Sequence, residues 1–143
     1  MNGSNERTVV DTGPLVALFS RADQYQLWAR KEFERLMPPI FTCEAVLSET
    51  QLLVRERGGN PLAVLEMVQR GMLNVAFELE DEVERLLELQ RAYADVPMSL
   101  ADACLVRMTE LHDRSRLMTT DSDFRIFRRN RRQIIPLLAP PGI

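Results

Sequence analysis

The sequence predicts an α/β fold in which a mostly parallel sheet is covered by helices on both faces. Short apolar runs typical of buried strands alternate along the chain with longer segments whose apolar residues recur at helical spacing. This alternation favours parallel strands joined by helical crossovers. Carboxylates follow two of the predicted strands, and in a parallel sheet the carboxyl ends of the strands are where ligands bind.

Length and composition are those of one domain with its own core. The chain has 143 residues, of which 45% are apolar and 27% charged. It contains no repeat, low-complexity run or long linker. We therefore expect a single domain over residues 1–143, with a flexible N-terminus at 1–7 and a C-terminal tail at 139–143.

In the first half of the chain, proline and glycine mark the element boundaries. Pro14 suits the first turn of a helix, and Pro38-Pro39 ends the next helical segment. Gly58-Gly59 stops the third helical segment. The predicted elements are strand Thr8–Val10, a helix from Pro14, helix Tyr25–Met37, strand Ile40–Thr42, helix Ala45–Arg57 and helix Pro61–Arg70.

The second half continues the alternation of strands and helices. An acidic first turn precedes helical spacing in Glu80–Tyr93, and a loop with Pro97 leads into the next helix. The predicted elements are strand Leu73–Phe77, helix Glu80–Tyr93, helix Ser99–Leu111, strand Leu117–Thr119 and strand Ile134–Leu138.

The composition argues against a membrane or secreted protein. No apolar run approaches the roughly 20 residues that span a bilayer, and the start of the chain lacks a secretory signal. Cys43 and Cys104 lie in apolar segments and suit free thiols of a reducing compartment. We expect a cytoplasmic protein.

The net charge of −3 includes a dense patch of arginine. Arginine forms bidentate contacts with carboxylate or phosphate, so the patch suits an acidic partner or a nucleic-acid backbone. A solvated helix face paired with Glu and Asp is an equally good interpretation. The patch consists of Arg125, Arg128, Arg129, Arg131 and Arg132.

Acidic side chains form the main candidate site. Asp11 and Asp121 follow predicted strands, whereas Glu49 and Asp102 lie on predicted helices beside apolar residues. Carboxylates that meet would repel one another by about 4 kcal/mol per close pair at an effective dielectric near 20. No lysine lies nearby, because Lys31 is the only lysine and belongs to an early amphipathic helix. A divalent cation would balance the charges.

Each acid also has a purely structural interpretation. Asp11 could be the N-cap of the helix that begins near Pro14. Glu49 could lie at the exposed margin of its apolar stripe. Asp102 fits a capping box with Ser99, although one carboxylate oxygen could cap while the other binds a metal. Asp121-Ser122-Asp123 could form an Asx turn, or present two acids to one cation.

The available ligands select the metal. Carboxylate oxygens suit Mg²⁺ or Mn²⁺. Zn²⁺ is disfavoured because His112 is the only histidine and the two cysteines lack ligand spacing. The corresponding reaction is hydrolysis of a phosphodiester by metal-activated water.

The same residues resemble the ordered motifs of PIN-domain ribonucleases, and among them the VapC-type toxins of toxin–antitoxin pairs. The resemblance runs from about Thr8 to Leu138. It is carried by Val9-Val10-Asp11-Thr12, by Glu49, by Pro97-Met98-Ser99-Leu100-Ala101-Asp102-Ala103 and by Thr119-Thr120-Asp121-Ser122-Asp123-Phe124.

The resemblance implies a three-layer α/β/α sandwich with a central parallel sheet of about five strands. It implies a Mg²⁺- or Mn²⁺-dependent endoribonuclease, often a homodimer, that cleaves RNA and is held by a cognate antitoxin. Motif position favours Asp121 over Asp123 as the nearer ligand. The implied catalytic and metal-binding residues are Asp11, Glu49, Asp102, Asp121 and Asp123, with Thr12 and Thr120 as supporting hydroxyl groups. Related sequences often carry an acid where Ser99 stands, so this departure favours a capping role for Ser99. The arginine patch flanks the last acidic motif, and its charge suits contacts with the phosphates of RNA.

Two alternatives to a toxin remain open. A housekeeping nuclease would share the acids but lack an antitoxin encoded beside it. A catalytically silent PIN-fold module would bind RNA or protein without turnover, although the presence of every expected acid argues against it.

Overall fold

The computed structural model describes residues 6–143, and its helices and strands alternate as the sequence predicts. Two short 3₁₀ turns, Leu79–Glu82 and Ser122–Arg125, complete the secondary structure. The elements are β1 (Arg7–Val10), α1 (Thr12–Leu18), α2 (Gln26–Arg35), β2 (Ile40–Phe41), α3 (Glu44–Glu56), α4 (Leu62–Gln69), β3 (Leu73–Asn74), α5 (Val83–Ala92), α6 (Leu100–Leu111), β4 (Ser115–Met118), β5 (Arg128–Arg129), β6 (Gln133–Ile134) and β7 (Leu137–Leu138).

The central sheet has five strands in the order β3-β2-β1-β4-β7, and every neighbouring pair is parallel. β1 lies in the middle, where Val9 pairs with Phe41 on one side and Leu117 on the other. From β1, the chain first adds β2 and β3 on one side and then β4 and β7 on the other, so the strand order reverses between β1 and β4. Ligands bind at such a switch point in open α/β sheets. Helices flank the sheet, and the predicted fold class is confirmed.

The core lies around the central strands and the helices packed on them. Val9 and Val10 of β1 and Leu117 and Met118 of β4 are all buried. Their exclusion from water, together with that of the buried residues of the flanking helices, supplies the main stabilising term at roughly 25 cal/mol per Å² of apolar surface. The rigid sheet fixes where the residues that follow β1 and β4 must lie.

Some predicted boundaries are wrong. The third strand ends at Asn74 rather than Phe77, because the Asn74 side chain accepts a hydrogen bond from the Ala76 amide at 2.9 Å and turns the chain. The strand predicted from Leu117 begins earlier, at Ser115, since Arg7 of β1 pairs with Ser115.

The structure describes part of the predicted N-terminal segment and all of the predicted C-terminal tail. Of the predicted flexible N-terminus, residues 1–5 lie outside the described residues, and Arg7 already belongs to β1. The predicted tail at 139–143 contains no helix or strand. Within the described part of the chain, no helix combines the length and apolar character that a membrane-spanning segment requires.

Candidate active site

Asp11 stands immediately after β1 and caps the N-terminus of α1. Its Oδ1 accepts a hydrogen bond from the Thr12 amide and its Oδ2 accepts one from the Thr119 hydroxyl, both at 2.7 Å. Burial raises the pKa of Asp11 to about 7; the two hydrogen bonds oppose this shift, and the charges of Asp102 and Asp121 add to it. A nearby cation would favour the ionised form of this side chain.

Glu49 reaches the site from α3. The Thr12 hydroxyl donates to its Oε1 at 2.7 Å, which links the helix after β1 to the helix after β2. The residue as a whole is exposed, with Val46 buried and Leu52 exposed among its helical neighbours. Glu49 therefore lies at the exposed margin of its apolar stripe.

Asp102 occupies the first turn of α6 in a complete capping box. The Ser99 hydroxyl accepts from the Asp102 amide at 3.0 Å, and Asp102 Oδ2 accepts from the Ser99 amide at 3.2 Å. Burial raises the pKa of Asp102, with further contributions from the charges of Asp121 and Glu49, while the bonds to Ser99 lower it. One oxygen caps the helix, and the other remains available to a ligand.

Asp121 and Asp123 follow β4 and take different positions. Asp121 Oδ1 accepts a hydrogen bond from the Asp123 amide at 2.9 Å, which forms the predicted Asx turn at the start of the 3₁₀ turn. Thr119 accepts from the Asp121 amide at 2.9 Å and so holds both Asp11 and Asp121. Asp121 lines the same pocket as the other acids, whereas Asp123 is not among the residues that line it.

One pocket of about 490 Å³ at the carboxyl edge of the sheet is lined by four of these five acids, and we call it the acidic pocket. Gly13 lies in its wall, where a Cβ would come within 2.1 Å of the Thr120 hydroxyl oxygen. The predicted residues that line the acidic pocket are Asp11, Glu49, Asp102, Asp121, Thr12, Ser99 and Thr120.

Sequence reasoning missed a cation in this pocket. Arg57, the C-cap residue of α3, lines it together with Asp23, and Arg57 Nη1 lies 2.7 Å from Asp23 Oδ2. The lack of a nearby lysine thus does not mean that the pocket lacks a cation, because Arg57 supplies one. The proximity of Gly58-Gly59 to the end of α3 was visible, but the approach of residue 57 to the loop after α1 depends on tertiary packing.

The donor set fits a hard divalent cation in kind and charge, because every acidic ligand offers oxygen. Burial is the main cause of the raised pKa values of Asp11 and Asp102, and the charges of neighbouring acids add to it. Among residues 6–143, however, no three Asp, Glu, His or Cys side chains are grouped closely enough to hold one ion. Metal ligation therefore stays a prediction, and it requires side chains that converge further than they do here.

The arginine patch lies away from the acidic pocket, since none of its five members lines that pocket. Arg129 is buried and donates to the carbonyl groups of Thr109, His112 and Asp113. It therefore joins the end of α6 to β5, and its Nη1 and Nη2 both donate to carbonyl groups of the protein.

The other arginines of the patch differ in their exposure and in the contacts that their guanidinium groups already make within the protein. Arg128 Nη1 donates to the carbonyl of Arg125 at 2.7 Å, and Arg131 pairs with Glu88 at 3.0 Å. Arg125 donates to the Ile143 carbonyl at 2.8 Å but is exposed, as is Arg132. Arg125 and Arg132 thus keep the most capacity to contact an external phosphate.

The fold and the acidic pocket together define a class of α/β protein that has carboxylates at the switch point of a five-stranded parallel sheet. Comparison of the sequence with known families identifies that class. A family model for the PIN domain matches residues 8–130, so the chain belongs to the PIN-domain family. A search of curated proteins gives no significant match.

One solved structure is similar over most of both chains. It is the crystal structure of Mycobacterium tuberculosis VapC20, a toxin that cleaves the sarcin–ricin loop. The TM-score is 0.73 with 21% sequence identity, and the match covers 81% of this chain and 91% of that one. The predicted relation to the PIN family is confirmed, and the shared architecture is that of VapC20.

Proposed function

We propose that this protein is a metal-dependent endoribonuclease that hydrolyses RNA phosphodiester bonds. The observation that supports the proposal best is the acidic pocket itself. Five carboxylates line it at the switch point of the sheet, and four of them (Asp11, Glu49, Asp102 and Asp121) were predicted from four separate segments of the sequence. Burial, together with the charges of neighbouring acids, raises the pKa of Asp11 and that of Asp102. Membership of the PIN family and the resemblance in fold to an RNA-cleaving toxin support the same activity.

Asp11, Asp102 and Asp121 would hold Mg²⁺ or Mn²⁺, with Glu49 as the remaining acid. Such an ion would lower the pKa of water and neutralise charge that develops on the phosphate. Glu49 is exposed to the pocket and anchored by Thr12, so we assign it the proton that the attacking water loses. Asp123 lies outside the pocket wall, and we assign it to the turn that positions Asp121.

Thr12, Thr119 and Ser99 position the acids rather than react. Thr12 fixes Glu49, Thr119 links Asp11 with the turn at Asp121, and Ser99 fixes one oxygen of Asp102. These bonds restrict the rotamers of the acids, which lowers the entropy lost when the ligands converge. Thr119 begins the last acidic motif but was absent from the predicted site, because it was assigned to the predicted strand Leu117–Thr119 and no local pattern marks its contact with Asp11.

The biological role that we propose is that of a type II toxin in the cytoplasm, held by a cognate antitoxin and assembled as a homodimer. The fold of VapC20 supports this role, and so do large apolar side chains that α2, α3 and α4 leave exposed for a partner. They include Leu27, Leu52, Leu62 and Leu65. An antitoxin that covers these helices and the acidic pocket would inhibit cleavage; a stable complex with undiminished cleavage would refute inhibition by this route.

The test of activity is RNA cleavage with Mg²⁺ or Mn²⁺, with EDTA, and with Asp102→Asn. Asparagine keeps an oxygen for the Ser99 amide, so the substitution should preserve the cap while removing the charge. Asp81→Asn, in the exposed 3₁₀ turn before α5, is the matched control. We expect cleavage only with metal and only in the wild type and Asp81→Asn. Cleavage that survives both chelation and Asp102→Asn would reject the mechanism.

The second candidate function is a PIN-fold module that binds RNA or protein without hydrolysing RNA. It is favoured by one observation, that no three acids in residues 6–143 are already grouped as metal ligands. Such a module would bind RNA equally well with metal and with EDTA, and Asp102→Asn would leave that binding unchanged.

A further inference from the structure

A second, larger cavity adjoins the acidic pocket. Its volume is about 830 Å³, within the roughly 300–1,000 Å³ typical of ligand sites. The loop that follows α1 forms one side, and the turn that follows α3 forms the other. Asp23, Gln24 and Arg57 line both spaces, so the two cavities meet at these residues. We call this larger space the adjoining cavity.

The charge of the adjoining cavity is opposite to that of the acidic pocket. Arg21 and Arg57 line it, with Asp23 as its one carboxylate. The Arg57 side chain is 49% exposed, and its ion pair with Asp23 engages one of several guanidinium donors. The remaining donors can reach a phosphate group at the boundary between the two cavities.

The rest of the wall suits a base and a sugar. Phe19 offers an aromatic ring, and Gln24 offers both a donor and an acceptor. The Ser20 hydroxyl is buried and has no hydrogen-bond partner among residues 6–143. At Gly59, a Cβ would lie 3.1 Å from the Phe19 carbonyl oxygen, so glycine lets the turn after α3 close this wall tightly.

We propose that the adjoining cavity binds the nucleotide next to the scissile phosphate and that Arg57 contacts the phosphate that links the two positions. This inference rests on the proposed function, because it takes the acidic pocket as the place of cleavage. A single strand that enters both cavities has to pass Arg57, where they meet. The acids then act on one phosphate while the cation neutralises the next.

The first test compares Arg57→Gln with Arg55→Gln, a matched loss of charge at an exposed position of the same helix end that lines neither cavity. Fluorescence anisotropy with labelled single-stranded RNA in EDTA measures binding without cleavage. We expect Arg57→Gln to weaken binding about fivefold or more, as the loss of a charged hydrogen bond should, and to lower the salt slope by about 0.7. Equal binding by the two variants would overturn the proposal.

The second test fills the adjoining cavity without changing charge. Ala22 is exposed and lines this cavity but not the acidic pocket, so Ala22→Leu should exclude a base while the acids stay in place. In the wild type, we expect affinity to rise when the RNA grows from one nucleotide to two or three; in Ala22→Leu, that rise should disappear. A rise that persists in Ala22→Leu would overturn the proposal even if Arg57→Gln binds more weakly.

Cleavage assays separate the two proposals. If wild-type protein cleaves RNA with Mn²⁺ and both variants match it in affinity and KM, this inference fails and the proposed function stands. If the wild type shows the length-dependent rise in affinity but no cleavage, the nucleotide site stands and hydrolysis fails. If the wild-type protein binds no RNA, both the proposed function and the inference about the adjoining cavity fail.

Discussion

Asp11 shows how one residue can serve both structure and chemistry. The N-cap role and the site role were alternatives at the level of sequence, and the structure contains the cap while placing the same carboxylate in the acidic pocket. Burial at the end of the central strand makes its negative charge costly, which raises its pKa to about 7. The cap alone would not require so buried an acid, because a solvent-exposed Asp caps equally well.

Asp11→Asn should remove most of the stabilisation that divalent metal provides. In the wild type, a metal at 100 times its dissociation constant would add about 2.7 kcal/mol to the free energy of unfolding. The variant keeps an oxygen for the Thr12 amide but loses a charged ligand. Thermal melts with and without Mn²⁺ measure the effect, with Asp81→Asn as control. Equal metal-induced shifts in both variants would argue against a shared site.

Gly13 makes a close approach that alanine cannot make in the present structure. A Cβ there would meet the Thr120 hydroxyl oxygen at 2.1 Å, so Gly13→Ala should destabilise the protein by about 1–3 kcal/mol before helix propensity is counted. Alanine otherwise favours a helix over glycine by about 1 kcal/mol. We therefore expect Gly13→Ala to lower stability in the wild type but raise it in a Thr120→Ala background. Urea denaturation of the four proteins of this cycle measures the coupling; additive effects would contradict the clash.

The site residues that the sequence predicts are positioned by local structure, whereas the one that it misses is positioned by a tertiary contact. Asp11, Asp102 and Asp121 are placed by local signals, namely a strand end, a capping box and an Asx turn. Arg57 is placed by a contact with Asp23 that depends on how α1 and α3 pack, which no local pattern records. Side-chain convergence in the acidic pocket is likewise a tertiary property.

At the scale of elements, the five central strands and the major helices could be predicted because hydrophobic period and turn residues agree. The hairpin of β5 and β6 was missed. Its strands contain a single apolar residue, Ile134, and its turn depends on positive φ angles at Asn130 and Arg131. Asn130 was the available signal, since asparagine tolerates this conformation. Ile134 was consequently assigned to the last sheet strand, which in fact begins at Leu137.

Glu110 joins three of these elements. It accepts hydrogen bonds from Arg85 of α5 at 2.9 and 2.7 Å, from Arg107 of its own helix at 3.2 Å and from the Asn130 amide in the hairpin at 2.6 Å. Burial by itself would raise the pKa of Glu110, but these donors outweigh it and hold the pKa below the ordinary value of 4.5. The folded state thus binds this proton more weakly than the unfolded state does.

Glu110→Gln should therefore destabilise the protein in a pH-dependent way. The stabilisation by Glu110 is present above pH 4.5, its value when unfolded, and is lost as pH falls through the lowered folded pKa. We expect a cost of about 2–3 kcal/mol at pH 7 that shrinks towards pH 3. Glu88→Gln, at a more exposed partner of Arg85, should cost about 1 kcal/mol or less. Chemical denaturation across pH measures both; a cost that does not change with pH would contradict the assignment.

At the scale of the whole molecule, charge is divided between three surfaces. The acidic pocket is negative, the adjoining cavity carries two cations, and the exposed arginines of the patch lie elsewhere. A strand of RNA that extends beyond the pocket would meet cationic surface on leaving it, which lowers the electrostatic cost of approach to the carboxylates of the pocket.

Arg125→Gln combined with Arg132→Gln tests whether the patch contributes to RNA binding. If both side chains contact phosphates, affinity should fall and the slope of log K against log salt should decrease in magnitude by about 1.4 for a single strand. Arg30→Gln with Arg70→Gln, on the exposed surface of α2 and after α4, carries the same change in charge and should leave the slope unchanged. Equal slopes for all three proteins would assign the patch to another partner.

The strand order also determines when the pocket can exist. β4 is synthesised after β1, yet it lies beside β1 in the sheet, and Asp121 follows β4. During translation, Asp121 can therefore join Asp11, Glu49 and Asp102 only after β4 has left the ribosome. The late position of β4 thus delays assembly of the acidic pocket, and a product that stops before β4 would lack Asp121.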